Sequence, residues 1–157
     1  MRLTILRHAT AGNKQDWPGP DEQRPLDLRG EHTAELLAKV VGGHSVRRLI
    51  SSPTTRCIQT LGALAELCDV EIELWDGLGP DADPANIVDC FGQAAFDDAV
   101  FCTHGEVVSP LLTTPAFRTL MRDSGLSRSK MLTKGTGWRL RLTPKGKLIG
   151  FTHLTTA

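Results

Sequence analysis

Short apolar runs alternate with segments of helical periodicity, and this order constrains the fold more than any other feature of the sequence. Residues 3–6, 46–51 and 99–103 have the length and composition of buried strands. Apolar residues at helical spacing over 29–41 and 54–68 predict two helices between these strands. Strands joined through helices run parallel and need cover on both faces of the sheet. The sequence therefore predicts an α/β fold, a three-layer sandwich with a mostly parallel central sheet.

The end of the chain departs from this alternation. Residues 138–142 alternate apolar and polar side chains, and a second run covers 148–154. Pro144, Lys145, Gly146 and Lys147 between them have turn chemistry, which predicts a C-terminal hairpin. The other assignments are a loop over 9–29, a half-exposed strand over 70–74, a helix over 85–96, a helix start over 107–114, and no clear pattern over 115–134.

Length and charge narrow the function classes. The 157 residues fit one domain, 1–157, and 40% hydrophobic with 23% charged residues is ordinary for a globular protein. Eighteen basic residues balance eighteen acidic ones. This balance gives no reason to expect a nucleic-acid polymer or a membrane as partner. It leaves room for a local positive pocket.

The cysteines and the chain start suggest a cytoplasmic protein. Cys57, Cys68, Cys90 and Cys102 form no C-x-x-C pair, and we expect them to be small buried side chains. The first residues read as a strand, not as a basic segment followed by an apolar leader. No apolar stretch has the length of a membrane-spanning helix.

Basic and imidazole side chains follow three of the predicted strands. Arg7 and His8 end the first, Arg56 begins the helix after the second, and His104 with Gly105 ends the late strand. Ligands of parallel α/β sheets bind outside the carboxyl ends of the strands. Each fragment alone is more often a solvated strand end or a helix-face arginine. Their joint occurrence predicts one site with two imidazoles and two guanidiniums.

These residue types suit phosphoryl transfer. A neutral imidazole is a good nucleophile toward phosphorus and divides one displacement into two easier steps. Arginine binds phosphate oxygens with two parallel hydrogen bonds and stays charged. The amide of Gly105, at a predicted helix start, offers a further donor. We expect no cofactor and no metal, because Cys102 and His104 are too few ligands and the sequence has no Walker A or G-x-G-x-x-G motif.

Three motifs make the chain similar to the histidine phosphatase superfamily, which has the phosphoglycerate-mutase-like fold. The family's Arg-His-Gly stands here as Arg7-His8-Ala9, and its Ser-x-x-x-Arg stands as Ser52 to Arg56, with Gln and Thr following. Its late histidine stands as His104-Gly105. The short length and the Arg-Pro-Leu-x-x-x-Gly segment from residue 24 resemble SixA-type phosphohistidine phosphatases. Other segments resemble the histidine phosphatase domains fused to Nudix hydrolases, although this chain has no Nudix box.

The resemblance implies that His8 is the phosphorylated nucleophile and that Arg7, Arg56 and His104 complete the phosphate pocket. Ala9 replaces the family's usual glycine, for which we expect a small shift. Larger members carry an acidic proton donor in the loop after the third strand. Here that loop offers three aspartates, of which we favour Asp81, while the alternative is that they cap a turn and the next helix. The candidates are Asp76, Asp81 and Asp83.

Two functions follow as hypotheses. The first is a metal-independent phosphatase acting on protein phosphohistidine or on nucleotide phosphoanhydrides, whose leaving groups need little help from an acid. Lys14 and Arg24 would then grip a second phosphate or a protein carboxylate, although a solvated basic loop is an equal alternative. The second is a phospho-ligand binding module that no longer turns over.

Overall fold

One six-stranded sheet with helices on both faces forms the part of the chain that the computed structural model describes, residues 1–156. The strands are β1 (Arg2–Arg7), β2 (Arg48–Ser51), β3 (Ile72–Leu74), β4 (Ala99–Thr103), β5 (Gly137–Leu142) and β6 (Leu148–Leu154). The helices are α1 (Leu28–Gly42), α2 (Thr55–Cys68), α3 (Ala85–Val88), α4 (Gly105–Leu111), α5 (Pro115–Ser124) and α6 (Arg128–Met131). None of the helices described is both long and apolar enough to cross a bilayer.

The sheet has the strand order β3-β2-β4-β1-β5-β6. The first four of these strands pair in parallel, while β5 runs antiparallel to β1 and β6 runs antiparallel to β5. This topology confirms the mostly parallel α/β sheet and the C-terminal hairpin. It also places β4 directly between β2 and β1, although the three strands are far apart in sequence.

Alternate side chains of the central strands pack into two separate hydrophobic cores, one on each face of the sheet. The strands are apolar throughout for this reason. On one face Leu3, Ile5 and Phe101 pack under helices α3 to α6. On the other face Leu6 and Val100 pack under α1 and α2. Both faces of the sheet are therefore covered, as in the expected three-layer sandwich.

The long first loop is pinned to helix α1. Asp27 caps α1 by accepting a hydrogen bond from the Gly30 amide at 2.7 Å, and it also accepts from the Thr10 hydroxyl at 2.7 Å and the Gly12 amide at 3.0 Å. A Cβ on Gly30 would lie 2.0 Å from the Thr10 carbonyl oxygen, so only glycine lets the loop pass this close. The segment predicted as loop thus has fixed contacts and two short 3₁₀ turns, at Lys14–Asp16 and Asp21–Gln23.

The predicted helix over 85–96 is wrong beyond its first turn. Helix α3 ends at Val88, and a 3₁₀ turn follows at Ala94–Phe96. Between them Gly92 has a φ of +82°, and its backbone lies against that of Gly146 in the hairpin turn. This contact needs a residue without a side chain in a left-handed conformation, which ends the helix. Over 115–134 the structure adds α5 and α6, which the sequence pattern did not reveal.

Candidate active site

The carboxyl ends of β1, β2 and β4 are joined by backbone hydrogen bonds just beyond the strands. The His8 amide donates to the Thr103 carbonyl at 3.1 Å, and the Ser52 amide donates to the Cys102 carbonyl at 3.0 Å. The Arg7 amide donates to the Thr136 carbonyl at 2.9 Å, on the side of the hairpin. These bonds fix the backbone from which the candidate side chains project.

A cavity of about 260 Å³ lies at this edge of the sheet. Seven residues expected from the sequence line it, namely Arg7, His8, Lys14, Arg24, Arg56, Asp81 and His104. The structure adds four that the sequence reasoning did not assign to the site, namely Asp21, Pro80, Glu106 and Lys134. Asp21 lies in the first loop and Lys134 in the segment without a clear pattern, so neither carried a usable signal in the sequence.

His8 is held as a neutral imidazole with one nitrogen free to react. Its Nδ1 lies 2.8 Å from the carbonyl oxygen of Ala9, and because a carbonyl only accepts, Nδ1 carries the proton. The lone pair of the neutral ring is then on Nε2. Burial lowers the pKa of His8 to about 3, opposed by the bond to Ala9 and assisted by the positive charges of Arg56 and Arg7. The ring is therefore unprotonated and nucleophilic at neutral pH.

His104 faces His8 across the cavity. The two ring centroids are 5.2 Å apart at an interplanar angle of 64°. The Nε2 of His104 lies 2.9 Å from the Ser52 hydroxyl and 3.4 Å from the Thr54 hydroxyl, and all three residues are buried. The serine of the Ser-x-x-x-Arg motif thus orients the second histidine, a role that the sequence alone did not assign.

The Arg7 guanidinium lies between the start of α4 and the segment before β5. Its Nη1 donates to the Leu132 carbonyl, while its Nε is buried without a hydrogen-bond partner among residues 1–156. A Cβ on Gly105 would lie 2.8 Å from the Arg7 guanidinium carbon. Burial lowers the pKa of Arg7, and the nearby Glu106 carboxylate opposes this shift. Because Gly105 has no side chain, the Arg7 guanidinium can lie directly against its backbone.

Arg56 is buried, and its guanidinium forms an ion pair with the Asp21 carboxylate. Its Nη1 donates to the Asp21 carbonyl at 2.8 Å and its Nη2 to the Asp21 carboxylate at 3.2 Å. The same carboxylate group accepts from Arg24 Nε at 3.0 Å, and both arginines lower the pKa of Asp21 against the opposing effect of its burial. The Nε of Arg56 has no partner among the described residues. Arg56 thus retains a free donor even with Asp21 bound.

The residues after Arg56 in its motif secure the first loop. The Gln59 side-chain oxygen accepts from the Leu26 amide at 2.8 Å, and the Thr60 hydroxyl accepts from the Ala9 amide at 3.0 Å. Ala9 is wholly buried and packs with Ala11, Leu26 and Ala34. It is not among the described residues with positive φ, so alanine fits here without backbone strain.

The three candidate proton donors separate in the structure. Asp81 is exposed and lines the cavity. Asp83 accepts a hydrogen bond from the Ala85 amide at 2.9 Å and so caps α3, and Asp76 does not line the cavity. Glu106, in the first turn of α4, is a second acidic side chain on the cavity wall. Besides Asp21, which is paired with Arg24 and Arg56, the structure thus leaves Asp81 and Glu106 as acidic side chains on the cavity wall.

The cavity is positively charged on balance. Five basic side chains face three acidic ones among its lining residues, in a chain whose net charge is zero. Within residues 1–156 there is no group of three or more His, Cys, Asp or Glu side chains that could hold a metal ion. The geometry therefore favours an anion and supplies the charge that neutralises it from side chains.

A sequence profile of the histidine phosphatase superfamily (branch 1) matches residues 3–79, the part that contains the first two motifs. Over this segment, which is just under half of the chain, the sequence is similar to the histidine phosphatase superfamily. A curated relative, an 8-oxo-(d)GTP phosphatase of Mycolicibacterium smegmatis, is 29% identical over 160 residues, which cover 98% of this chain and 48% of the relative. The chain thus spans about half the length of that relative.

Solved structures of histidine phosphatases share the fold over nearly the whole chain. The protein histidine phosphatase SixA complexed with tungstate superposes with a TM-score of 0.74 at 21% identity, covering 99% of this chain and 97% of that one. A mycobacterial glucosyl-3-phosphoglycerate phosphatase complexed with VO₃ gives 0.62 at 17% identity, covering 97% and 96%. At these identities the likeness establishes the phosphoglycerate-mutase-like fold.

The contact between Gly105 and Arg7 gives a testable consequence. In Gly105→Ala the new methyl group displaces the Arg7 guanidinium, the far end of a flexible side chain, so we expect little loss of stability. We expect the affinity for inorganic phosphate to fall about tenfold, the equivalent of one weakened charge-assisted hydrogen bond. Isothermal titration with phosphate measures this. Gly62→Ala in α2, where a Cβ meets nothing within 4 Å, is the matched control, and unchanged phosphate affinity in Gly105→Ala contradicts the assignment.

The low pKa of His8 predicts a pH-dependent loss of stability. The unfolded chain binds a proton at this histidine below pH ~6.5 and the folded chain only near pH 3, so stability falls as the pH drops through this window. Relative to His8→Gln, the wild type should lose about 2 kcal/mol more between pH 7 and pH 5. Urea unfolding in phosphate-free buffers at both pH values measures the difference. Parallel losses in the two proteins would show that His8 protonates normally in the fold.

Proposed function

We propose that the chain is a metal-independent phosphatase that works through a phosphohistidine on His8. One observation carries the proposal: a neutral imidazole with a free Nε2 shares a cavity with two arginines that each retain a buried, unpartnered Nε. Buried donors without partners are costly, and an anion between Arg7 and Arg56 would satisfy them. The similarity of residues 3–79 to the histidine phosphatase superfamily supports the same proposal.

The chemistry takes two displacements. In the first, Nε2 of His8 attacks phosphorus, a nitrogen–phosphorus bond forms, and the bond to the leaving group breaks with the electron pair going to that group. Arg7 and Arg56 neutralise the charge on the phosphoryl oxygens, and His104 donates to them from the opposite side. In the second, water attacks phosphorus, the nitrogen–phosphorus bond breaks, and inorganic phosphate leaves with His8 neutral again.

Asp21 has a part in binding. Its carboxylate bridges Arg56 and Arg24, so it holds both guanidiniums at the cavity before substrate arrives. A phosphoryl group that binds Arg56 in a bidentate manner must share or displace this carboxylate. We infer that Asp21 positions Arg56 and competes with weakly charged ligands, which favours substrates carrying more than one negative charge.

Two substrate classes fit the site, protein phosphohistidine and nucleotide phosphoanhydrides. Their leaving groups are weak bases, which need less help from a proton donor than an alkoxide does. The additional cations Lys14, Arg24 and Lys134 on the cavity wall suit a second phosphate group. The relatives include both a protein histidine phosphatase and an 8-oxo-(d)GTP phosphatase, which is consistent with either class.

Phosphate release tests the proposal. We expect the wild type, without added metal, to hydrolyse at least one of acetyl phosphate, p-nitrophenyl phosphate, phosphohistidine, nucleoside diphosphates and triphosphates, or dinucleoside polyphosphates. His8→Ala should lose all turnover above background, because the nucleophile is gone. The wild type quenched in alkali during turnover should carry an acid-labile phosphate that His8→Ala lacks. Tight phosphate binding with no turnover on the whole panel would replace the enzyme with the phospho-ligand binding module.

The proton donor is tested through the leaving group. In Asp81→Asn we expect kcat/KM for glycerol phosphate to fall about 10²-fold, because an alkoxide needs a proton as it leaves, and p-nitrophenyl phosphate to respond little. Asp83→Asn, outside the cavity, is the matched control, because the asparagine side-chain oxygen can still accept from the Ala85 amide. If Glu106→Gln instead shows the leaving-group dependence, the donor is Glu106 and the assignment of Asp81 is wrong.

A further inference from the structure

A second cavity, of about 240 Å³, lies beside the phosphate cavity and is built almost entirely from the first loop. Its walls are Ala11, Gly12, Asn13, Asp16, Trp17, Arg24, Pro25, Leu26 and Asp27. Arg24 is the residue that both cavities share. None of the walls except Arg24 has a role in the proposed phosphoryl transfer.

Trp17 presents an oriented aromatic ring to this cavity. Its indole Nε1 donates to the Pro20 carbonyl at 2.9 Å, and a Cβ on Gly19 would lie 3.2 Å from the same nitrogen. The ring is thus anchored at its polar edge and remains half-buried. An anchored indole offers its face to a planar ring at little entropic cost, because its side chain is already ordered.

The Arg24 side chain lines both cavities and is held between them by hydrogen bonds. It is buried, its Nε donates to the Asp21 carboxylate at 3.0 Å, and its Nη1 donates to the Ala11 carbonyl at 2.7 Å. A ligand that reaches from the phosphate cavity into the neighbouring one must pass this guanidinium. A phosphate or diphosphate link has the charge and the length for that position.

The polar groups of the second cavity select among rings. The Asp27 carboxylate already accepts from the Thr10 hydroxyl, the Gly12 amide and the Gly30 amide, and the Asn13 oxygen accepts from the Gln15 amide. The Asp16 carboxylate has no hydrogen-bond or ion-pair partner among residues 1–156 and is exposed at the rim. A carboxylate only accepts, so it pairs with a ring edge that carries two adjacent N–H donors, as guanine does, and not with the mixed edge of adenine.

We propose that this cavity, defined by Trp17, Arg24 and Asp16, binds the base of a nucleotide substrate whose terminal phosphate is transferred to His8. The proposal rests on the phosphatase function proposed above and narrows its substrate to a guanine-type nucleoside di- or triphosphate. The base stacks on Trp17, the phosphate chain passes Arg24, and the Asp16 carboxylate accepts from the base edge. The volume suits one ring system and is smaller than a site that encloses a whole ligand.

The test compares substrates that share a diphosphate but differ in the base, namely GDP, ADP and ribose 5-diphosphate. We expect the wild type to prefer GDP over ribose 5-diphosphate at least about tenfold in kcat/KM, a value within what ring stacking contributes in proteins. Trp17→Ala should bring this ratio close to one, while Trp17→Phe retains most of it. Asp16→Asn should reduce the preference for GDP over ADP and leave the Trp17-dependent ratio in place.

The outcomes separate this inference from the function on which it rests. A wild-type ratio of GDP to ribose 5-diphosphate near one, or a ratio that survives Trp17→Ala, overturns the base site even if His8-dependent hydrolysis of acetyl phosphate is intact. Equal use of GDP and ADP overturns the part assigned to Asp16. If no His8-dependent hydrolysis exists, the phosphatase proposal fails, and titration with GMP and ribose 5-phosphate, with the same expected tenfold difference in affinity, still tests the base site.

Discussion

Parallel hydrogen bonding between β1 and β4 places Arg7 opposite Thr103, so that His8 and His104 are the first residues beyond the same edge of the sheet. The His8 amide continues the ladder by bonding to the Thr103 carbonyl, and the rings then face each other at 5.2 Å. Every other part of the site is arranged around this pair. A one-residue slip in the register would turn one imidazole into a core and leave the cavity with a single histidine.

Burial and positive charge act together on His8. They lower its pKa to about 3, which keeps the proposed nucleophile neutral, and the same arginines that disfavour its protonation are the groups proposed to bind a phosphoryl anion. In the structure the Asp21 carboxylate sits on Arg56. The site thus contains an internal anion that orients the guanidinium and that a more highly charged ligand has to replace.

The motif residues could be predicted from the sequence because each follows a strand or begins a helix whose pattern is strong. Helices over 29–41 and 54–68 and the hairpin were predicted nearly to their observed bounds, since amphipathic periodicity and turn residues signal them locally. The helix over 85–96 was predicted too long, because Gly92 meets the hairpin turn through a contact between segments more than 50 residues apart. Lys134 and Asp21 could not be predicted as site residues either, because each reaches the cavity only when segments remote in the chain pack together.

The sequence by itself determined the α/β class and the histidine and arginine content of the site. These depend on periodicity, residue chemistry and local conformation, which neighbouring residues specify. Only the tertiary structure decided which nitrogen of His8 carries the proton, that Ser52 orients His104, that Asp21 binds Arg56, and that Trp17 and Arg24 border a second cavity. Those facts depend on distances between segments that are remote in the chain, and such distances exist only once the sheet has formed and the first loop has packed against α1.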